Sequence, residues 1–300
     1  MAYEIKNKEK KSPAALIILL GILSAFGPLS MDMYLPSLPL IEKQMQTSAS
    51  LTQMSITTCL IGLALGQLLI GPYSDKHGRK KPLIAGLIVF TIISFLCSFV
   101  TSIWLLIGLR FIQGLSGAAG LVISRAIARD LYQGNELTKF FSLLMAVNGI
   151  FPILSPIFGG IVLKFTNWKG IFIILGIIGS ILFFVTLLYF KETLTVDNSQ
   201  KNDAKVIFTA LKSLISDKIF MSYALVQGLV TGAMFCYISG SSFVLQNMFG
   251  LSAQEFSLVF AINGIGIVLM SQAAGRLSYR LGEKLLLKIG ISTAAFGSIA

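Results

Sequence analysis

The sequence predicts an all-α integral membrane protein, and three observations lead to that fold class. Apolar residues make up 55% of the 300-residue chain and charged residues only 12%, whereas a soluble domain carries about 25% charged residues. The mean hydropathy is +0.81. The apolar residues form continuous runs about as long as the 20 residues that a helix needs to cross a bilayer. Strands of a membrane barrel would instead alternate apolar and polar residues over about 10 positions.

The apolar runs predict eight complete membrane-spanning helices and the start of a ninth. The complete runs are, in chain order, approximately residues 13–38, 50–73, 82–101, 103–124, 138–163, 168–190, 218–243 and 253–275. The ninth run begins near residue 285 and continues to Ala300. Short clusters of basic residues separate the runs, as expected of loops at a membrane surface.

The first run has two interpretations. Lysines at positions 6, 8, 10 and 11 precede it, as in a secretory signal peptide. The run is longer than the apolar core of a signal peptide, however, and it lacks a small-x-small cleavage site. It ends in the segment Tyr34 to Pro39, which indicates a helix terminus near Leu38. An uncleaved first membrane helix is the favoured interpretation.

The distribution of basic residues predicts the orientation. Twenty of the 24 Lys and Arg residues lie in the N-terminal tail and every second loop after it, against three in the alternate loops. This asymmetry predicts a cytoplasmic N-terminus. It also explains the net charge of +11 without nucleic acid as a partner. The predicted domains are a cytoplasmic tail (1–12), a six-helix bundle (13–190), a cytoplasmic linker (191–217) and a partial second bundle (218–300).

An internal repeat follows the second and eighth runs. Residues 71–80 and 275–284 match at a fixed offset of 204 residues. The matched pairs are Gly71 and Gly275, Ser74 and Ser278, Lys76 and Arg280, Gly78 and Gly282, and Lys80 and Lys284. Parallel internal repeats are typical of transporters, and this one predicts two parallel six-helix halves. We therefore expect three further helices after the ninth, so that the chain looks C-terminally incomplete and could be an inactive fragment.

The first copy of this repeat resembles the gate motif of the major facilitator superfamily, G-x-x-x-D-x-x-G-R-K/R between the second and third helices. Its fixed positions are filled by Gly71, Asp75, Gly78, Arg79 and Lys80. We expect Gly71 to let two helices approach closely, Gly78 to permit a tight turn and Asp75 to cap or face a helix N-terminus. The alternative for the basic residues is an anchor at the membrane surface alone.

Further stretches narrow the resemblance. Arg110 to Ala119 is similar to the superfamily segment R-x-x-Q-G-x-G-x-A, and Ser155 to Gly160 resembles the antiporter motif G-P-x-x-G-G with Ser155 in place of the first Gly. Together with Met31–Pro39, Tyr237–Ser241 and Lys191–Leu194, these stretches resemble drug:proton antiporters of the bicyclomycin/chloramphenicol resistance (Bcr/CflA) type. The resemblance implies proton-coupled efflux of small lipophilic or drug-like substrates by alternating access.

Asp32 and Arg110 are the two ionisable residues well inside the predicted spans. Charges at such depth are costly and mark functional sites. Counting from the predicted helix ends places both about 9–11 Å below the outer surface, so contact between them is conceivable. In the functional interpretation, Asp32 carries the proton and Arg110 keeps its carboxylate charged until a proton or substrate arrives. The alternatives are a helix-end carboxylate reaching water and a structural hydrogen-bond centre.

The antiporter motif has a mainly mechanical interpretation. Pro152 and Pro156 remove backbone donors and should bend the fifth helix. Gly149, Gly159 and Gly160 should allow another helix to pack against exposed backbone.

Six polar or aromatic residues are candidates for the substrate cavity, with interhelical hydrogen bonding as the alternative for each. They are Tyr34, Gln53, Asn148, Gln227, Tyr237 and Asn263.

The sequence favours an exporter over three rivals. A proton-coupled importer of a small nutrient is the alternative within the same class, kept open by the Ser155 departure. A membrane enzyme would need a nucleophile, base or metal cluster, and one His with no acidic cluster offers none. We expect no cofactor, no metal and a monomer whose partners are substrate, protons and the lipid bilayer. An inactive transporter fragment is the third rival.

Overall fold

The computed structural model describes residues 13–194, 209 and 212–299. Within them all regular elements are helices, and eight spans are long and apolar enough to cross a membrane. The all-α membrane fold predicted from the sequence is therefore confirmed. The predicted tail at residues 1–12 lies outside the described residues, as do positions 195–208 and 210–211 of the predicted linker.

Residues 209 and 212–216 of the described chain are helical, and ten further α-helices have defined bounds. They are α1 (Pro13–Asp32), α2 (Leu38–Gln44), α3 (Ala49–His77), α4 (Lys80–Phe99), α5 (Ile103–Leu131), α6 (Gly134–Phe165), α7 (Trp168–Tyr189), α8 (Lys218–Phe243), α9 (Ala253–Leu281) and α10 (Glu283–Ile299). A 3-10 turn (Leu35–Ser37) joins α1 to α2, and a π-helical segment (Val244–Met248) extends α8.

Several helices extend beyond their apolar runs. Helix α3 ends at His77 instead of residue 73, α5 at Leu131 instead of 124, and α9 at Leu281 instead of 275. Hydropathy detects only the part of a helix that lies in the hydrocarbon layer. The backbone stays helical past that layer because its hydrogen bonds are internal to the helix.

The predicted terminus of the first helix at Leu38 is wrong, because the span is broken and then continues. Helix α1 ends at Asp32, and the span resumes as α2 up to Gln44. Pro36 has no N–H to donate to the Asp32 carbonyl, and its ring disfavours helical backbone at the preceding residue. The prolines therefore interrupt the helix without ending the span.

The repeat inferred from the sequence is visible in the backbone. Helices α3 and α9 are both 29 residues long, and their first and last residues are 204 positions apart. Each ends at a glycine with positive φ, 88° at Gly78 and 76° at Gly282. The next helix begins within two residues of each glycine.

The packed core lies in the first bundle, α1 to α7. Phe26 of α1 and Phe90 of α4 meet at its centre, with ring centroids 4.3 Å apart. Most of α8 is exposed, and its buried residues are Ser241, Ser242 and Phe243. We call the end of the bundle between His77 and Lys80 the gate end, and the opposite end, between Gln44 and Ala49, the far end.

Candidate functional site

Arg79 organises the predicted gate motif. Its side chain is buried, and its guanidinium forms ion pairs with Asp75, one turn earlier, and with Asp130 at the end of α5. The Nε···Oδ2 distance to Asp130 is 2.9 Å, and Nη1 also donates to the Ser74 hydroxyl at 2.9 Å. Arg79 thus ties the end of α3 to the end of α5.

The carboxylate of Glu192, just after α7, caps α4. It accepts backbone N–H groups from Arg79 at 2.8 Å and from Lys80 at 3.0 Å, and those of Thr193 and Leu194. Partial burial raises the pKa of Glu192, but these four donors outweigh burial and hold the pKa below its usual range. Asp75 pairs with the side chain of Arg79, the residue that directly precedes α4.

Gly78 is required by this arrangement for two reasons. Its φ of 88° with ψ of 167° belongs to a region that essentially only glycine occupies. A Cβ at this position would also lie 2.6 Å from Oε2 of Glu192. Lys80 adds a further tie, because its Nζ donates to the Leu187 carbonyl of α7 at 3.0 Å. Contacts from α3, α5 and α7 therefore hold the gate turn in place.

The expectation of a close helix approach at Gly71 is not met. A Cβ there would lie at an ordinary 3.7 Å from Val122. Helices α3 and α5 approach closely nearer the middle of the bundle, where a Cβ on Gly62 or Gly114 would overlap a carbonyl oxygen of the other helix. The sequence analysis gave neither glycine a packing role, although Gly114 lies in the Arg110 to Ala119 segment quoted there.

Asp32 is the last residue of α1 and is half-buried. It lies near the middle of the first span, Leu16–Gln44. Within the described residues its carboxylate makes no hydrogen bond and no ion pair. The backbone carbonyl of Asp32 also lacks its helical donor, since residue 36 is proline. Asp32 therefore places a carboxylate and a backbone carbonyl without its helical donor near the middle of the span.

Arg110 is fully buried but does not contact Asp32. Its Nη1 donates to Oε1 of Gln113 at 2.6 Å and to the Ser30 carbonyl at 3.4 Å. The guanidinium lies over the Tyr34 ring, 4.7 Å from the centroid. Ser30 and Tyr34 are four residues apart and share one face of the chain, whereas Asp32, two residues from each, points elsewhere. Asp32 and Arg110 were predicted at similar depth in the membrane, but their side chains are not in contact.

Two nitrogens of Arg110 have no partner. Its Nε and Nη2 are buried without a hydrogen bond within the described residues. The hydrogen bonds that Arg110 does make connect α1 to α5, and Gln113 continues the network to the Ser94 hydroxyl of α4 at 2.7 Å. Arg110 is therefore at least a structural centre of the first bundle.

The predicted cavity residues fall into two groups. Tyr34 is fully buried, with its hydroxyl 3.0 Å from that of Ser55, and Asn148 donates to the Ser24 hydroxyl at 2.9 Å. The structure places these two in contacts between helices. Gln227 and Tyr237 are exposed on α8, where Gln227 bonds Thr231 of the same helix. Asn263 of α9 donates to the Tyr237 hydroxyl, and Gln53 of α3 donates to the Ser239 carbonyl of α8 at 3.4 Å.

The antiporter motif lies where the two bundles meet. Helix α6 runs unbroken through Pro152 and Pro156. A Cβ on Gly159 would overlap the Met33 carbonyl of the first span, and one on Gly160 would lie 2.6 Å from the Ser257 hydroxyl of α9. Gln254 of α9 also donates to the Gly160 carbonyl at 2.8 Å. Gly149 shows no such close approach, since a Cβ there would lie 3.7 Å from the Val268 side chain.

The chain is similar in sequence to several bacterial proteins. It is 44% identical over 292 residues to the uncharacterized MFS-type transporter YdgK of Bacillus subtilis (strain 168), covering 97% of this chain and 73% of the relative. It is 30% identical over 284 residues to the bicyclomycin resistance protein homolog of Haemophilus influenzae, covering 95% and 71%. A chloramphenicol resistance protein of Pseudomonas aeruginosa is 29% identical over 289 residues, covering 96% and 68%.

The fold is likewise that of solved transporters. The crystal structure of a bacterial homolog to the human lysosomal transporter Spinster, in an inward-facing and unoccupied conformation, matches with a TM-score of 0.75 at 16% identity. The match covers 91% of this chain, which spans 64% of that structure. Residues 20–300 match the sequence profile of the Major Facilitator Superfamily. The chain therefore belongs to the Major Facilitator Superfamily, a family of membrane transporters and not of enzymes.

Proposed function

We propose that this transporter exports drug-like molecules in exchange for protons, by alternating access between its two bundles. The observation that carries the proposal is Asp32, a half-buried carboxylate near the middle of the first span without a partner in the described residues. Such a group in a membrane span normally lies on a substrate or proton path. The names of the relatives, which refer to bicyclomycin and chloramphenicol resistance, support drugs as the substrate class.

The chemistry of the exchange rests on the charge of Asp32. Protonation removes the charge and with it most of the cost of keeping this group away from water. A proton entering from one side would allow the bundles to close around a neutral Asp32, and its release on the other side would restore the carboxylate. Arg110 would position the first span through its contacts with Ser30 and Tyr34.

The gate motif supplies the second part of the proposed cycle. Arg79, Asp75 and Asp130 fix the end of α3 against α5, and Glu192 fixes the turn that follows. A gate that closes repeatedly on the second bundle needs such a preformed surface. We place this loop on the cytoplasmic side, in the orientation that the basic residues predict, with the protein as a monomer in the inner membrane.

The exposed side chains of α8 and α9 are the proposed substrate contacts. Tyr237 offers an aromatic face and Gln227 an amide, a combination suited to lipophilic molecules with few polar groups. Tyr237 and Asn263 are hydrogen-bonded to each other, so a substrate would find a prearranged polar pair.

The experiment that tests this function compares Asp32→Asn with Glu42→Gln in proteoliposomes. Both variants replace a carboxylate of the first span by an amide, but Glu42 lies at the far end, where its carboxylate accepts a 3.4 Å hydrogen bond from Asn247. Chloramphenicol and bicyclomycin are the probes. We expect Asp32→Asn to abolish drug accumulation driven by a pH gradient while retaining drug–drug exchange, which needs no net proton movement. Glu42→Gln should retain both.

Accumulation by Asp32→Asn at the wild-type rate would place proton coupling at another residue. Loss of both accumulation and exchange in Asp32→Asn, with normal folding, would make Asp32 a substrate-binding group instead. If neither probe is moved by the wild-type protein under any gradient, the proposed substrate class is wrong.

A further inference from the structure

The two bundles are hydrogen-bonded to each other at the break in the first span. Ser242 of α8 donates its hydroxyl to the Leu35 carbonyl at 2.8 Å. Gln246, one turn further, donates its amide to the Pro36 carbonyl at 3.1 Å and to the Ser242 hydroxyl at 2.9 Å. Two neighbouring carbonyls of one bundle are thus bound by two side chains of the other.

Pro39 leaves the Leu35 carbonyl without its helical donor. In a continuous α-helix the N–H of residue 39 would bond to the Leu35 carbonyl, but residue 39 is proline. Leu35 retains one 3-10 hydrogen bond, from the Leu38 N–H. Leu35 and Ser242 are both buried, so a lost partner is not replaced by water while the bundles stay together.

The donors Ser242 and Gln246 lie at the junction between α8 and a π-helical segment. Residues 244–248 form a π-helical segment directly after α8. Such wide turns are rare and frequently lie at functional sites. Ser242 and Gln246 stand on either side of the point where the helix widens, and both reach the same two-residue stretch of the first span.

We propose that Ser242 and Gln246 form a latch that holds the far end of the two bundles closed. The inference rests on the proposed alternating access, which requires this end to open. Opening must break both hydrogen bonds and expose the carbonyls of Leu35 and Pro36 to water. Asp32 is three residues from Leu35. Release of the latch therefore gives water access to the segment that carries the proposed proton site.

The test measures the distance between the bundles at the far end, in nanodiscs and without any drug. Spin labels are attached to Lys43→Cys in α2 and Met248→Cys after α8, both exposed positions, in a protein whose native cysteines are replaced. Ser242→Ala and Gln246→Ala each remove a donor. Ser241→Ala is the matched control, because its buried hydroxyl donates to the Ile238 carbonyl of its own helix at 3.0 Å.

We expect Ser242→Ala and Gln246→Ala each to raise the ratio of separated to closed distances about 2- to 10-fold, the effect of losing one hydrogen bond. Ser241→Ala should match the unsubstituted protein. The latch is refuted if both donor variants show the control's distance distribution. Should Ser242→Ala fail to fold, Gln246→Ala decides the matter, since Gln246 is only half-buried. Transport is not measured, so failure of the latch and failure of drug export are separate results.

Discussion

Glu192 shows how much one side chain contributes to the gate turn. Its two carboxylate oxygens accept four backbone N–H groups, two of them from Arg79 and Lys80 at the start of α4. A carboxylate at a helix N-terminus is stabilised by the exposed N–H groups and the helix dipole. The sequence could not assign this contact, because Glu192 and Arg79 are 113 positions apart. Only the likeness of Lys191–Leu194 to a known family marked the segment.

The lowered pKa of Glu192 predicts how the gate turn responds to acid. A depressed folded-state pKa means that the contact is fully present above the ordinary Glu value of about 4.3 and is lost as the pH falls through the lower, folded value. Hydrogen exchange of the Arg79 and Lys80 amides, corrected for intrinsic rates, should therefore stay slow down to about pH 4.3 and accelerate below it. Glu192→Gln should remove this acceleration at low pH. Glu136→Gln is the control, because Glu136 is an exposed carboxylate of α6, and it should leave the acceleration intact.

Residue counting could predict the depth of a side chain in the membrane, but it could not predict which neighbouring helix that side chain faces. The sequence located Asp32 and Arg110 as the charges inside the membrane, yet Arg110 packs on Ser30 and Tyr34. The rotation of α1 and its break at Asp32 decide which face meets α5. Both depend on the prolines and on packing, and neither is fixed by hydropathy.

At the scale of helices, glycines determine how closely α3 and α5 cross. A Cβ on Gly114 would overlap the Cys59 carbonyl, whereas one on Gly108, in the same helix, has open space around it. The hydropathy pattern predicted that both helices exist and roughly where they lie. It could not rank the glycines, because a glycine at a crossing and one facing lipid look alike in a single sequence.

This contrast predicts unequal effects of one substitution at two positions of α5. Gly114→Ala should lower the free energy of unfolding by about 1–3 kcal/mol, the usual cost of forcing atoms into a packed contact. Gly108→Ala should leave it unchanged or slightly higher, since alanine favours helix. The two variants can be compared by thermal unfolding in detergent. Equal destabilisation at both positions would contradict the assigned crossing.

For the molecule as a whole, the arrangement of helices was the most predictable property. Long apolar runs specified the spans, and the 204-residue repeat specified two halves of the same design, which α3 and α9 reproduce. The contacts between the halves were not predictable. The hydrogen bond from Ser242 to Leu35 joins residues 207 positions apart. Its acceptor lies in the break of the first span, and its donor lies just before the π-helical segment. Neither irregularity follows from periodicity.

The charge asymmetry predicts which side of the membrane each end occupies. In intact cells, cysteines replacing Lys76 and Lys284, both exposed, should be shielded from impermeant thiol reagents, because both belong to the basic loops. A cysteine replacing Lys43 at the far end should react. Cys236 is exposed and has to be replaced first. Labelling in the reverse pattern would invert the orientation and with it the direction of the proposed proton flow.

Gly78 and Gly282 occupy matching places in the repeat. Any missense change at either codon adds a Cβ to backbone with positive φ. At Gly78 that Cβ also meets the Glu192 carboxylate. A mutation at the Gly78 codon is therefore opposed twice, by the backbone conformation and by the carboxylate that caps α4. This position of the gate turn has almost no freedom to drift.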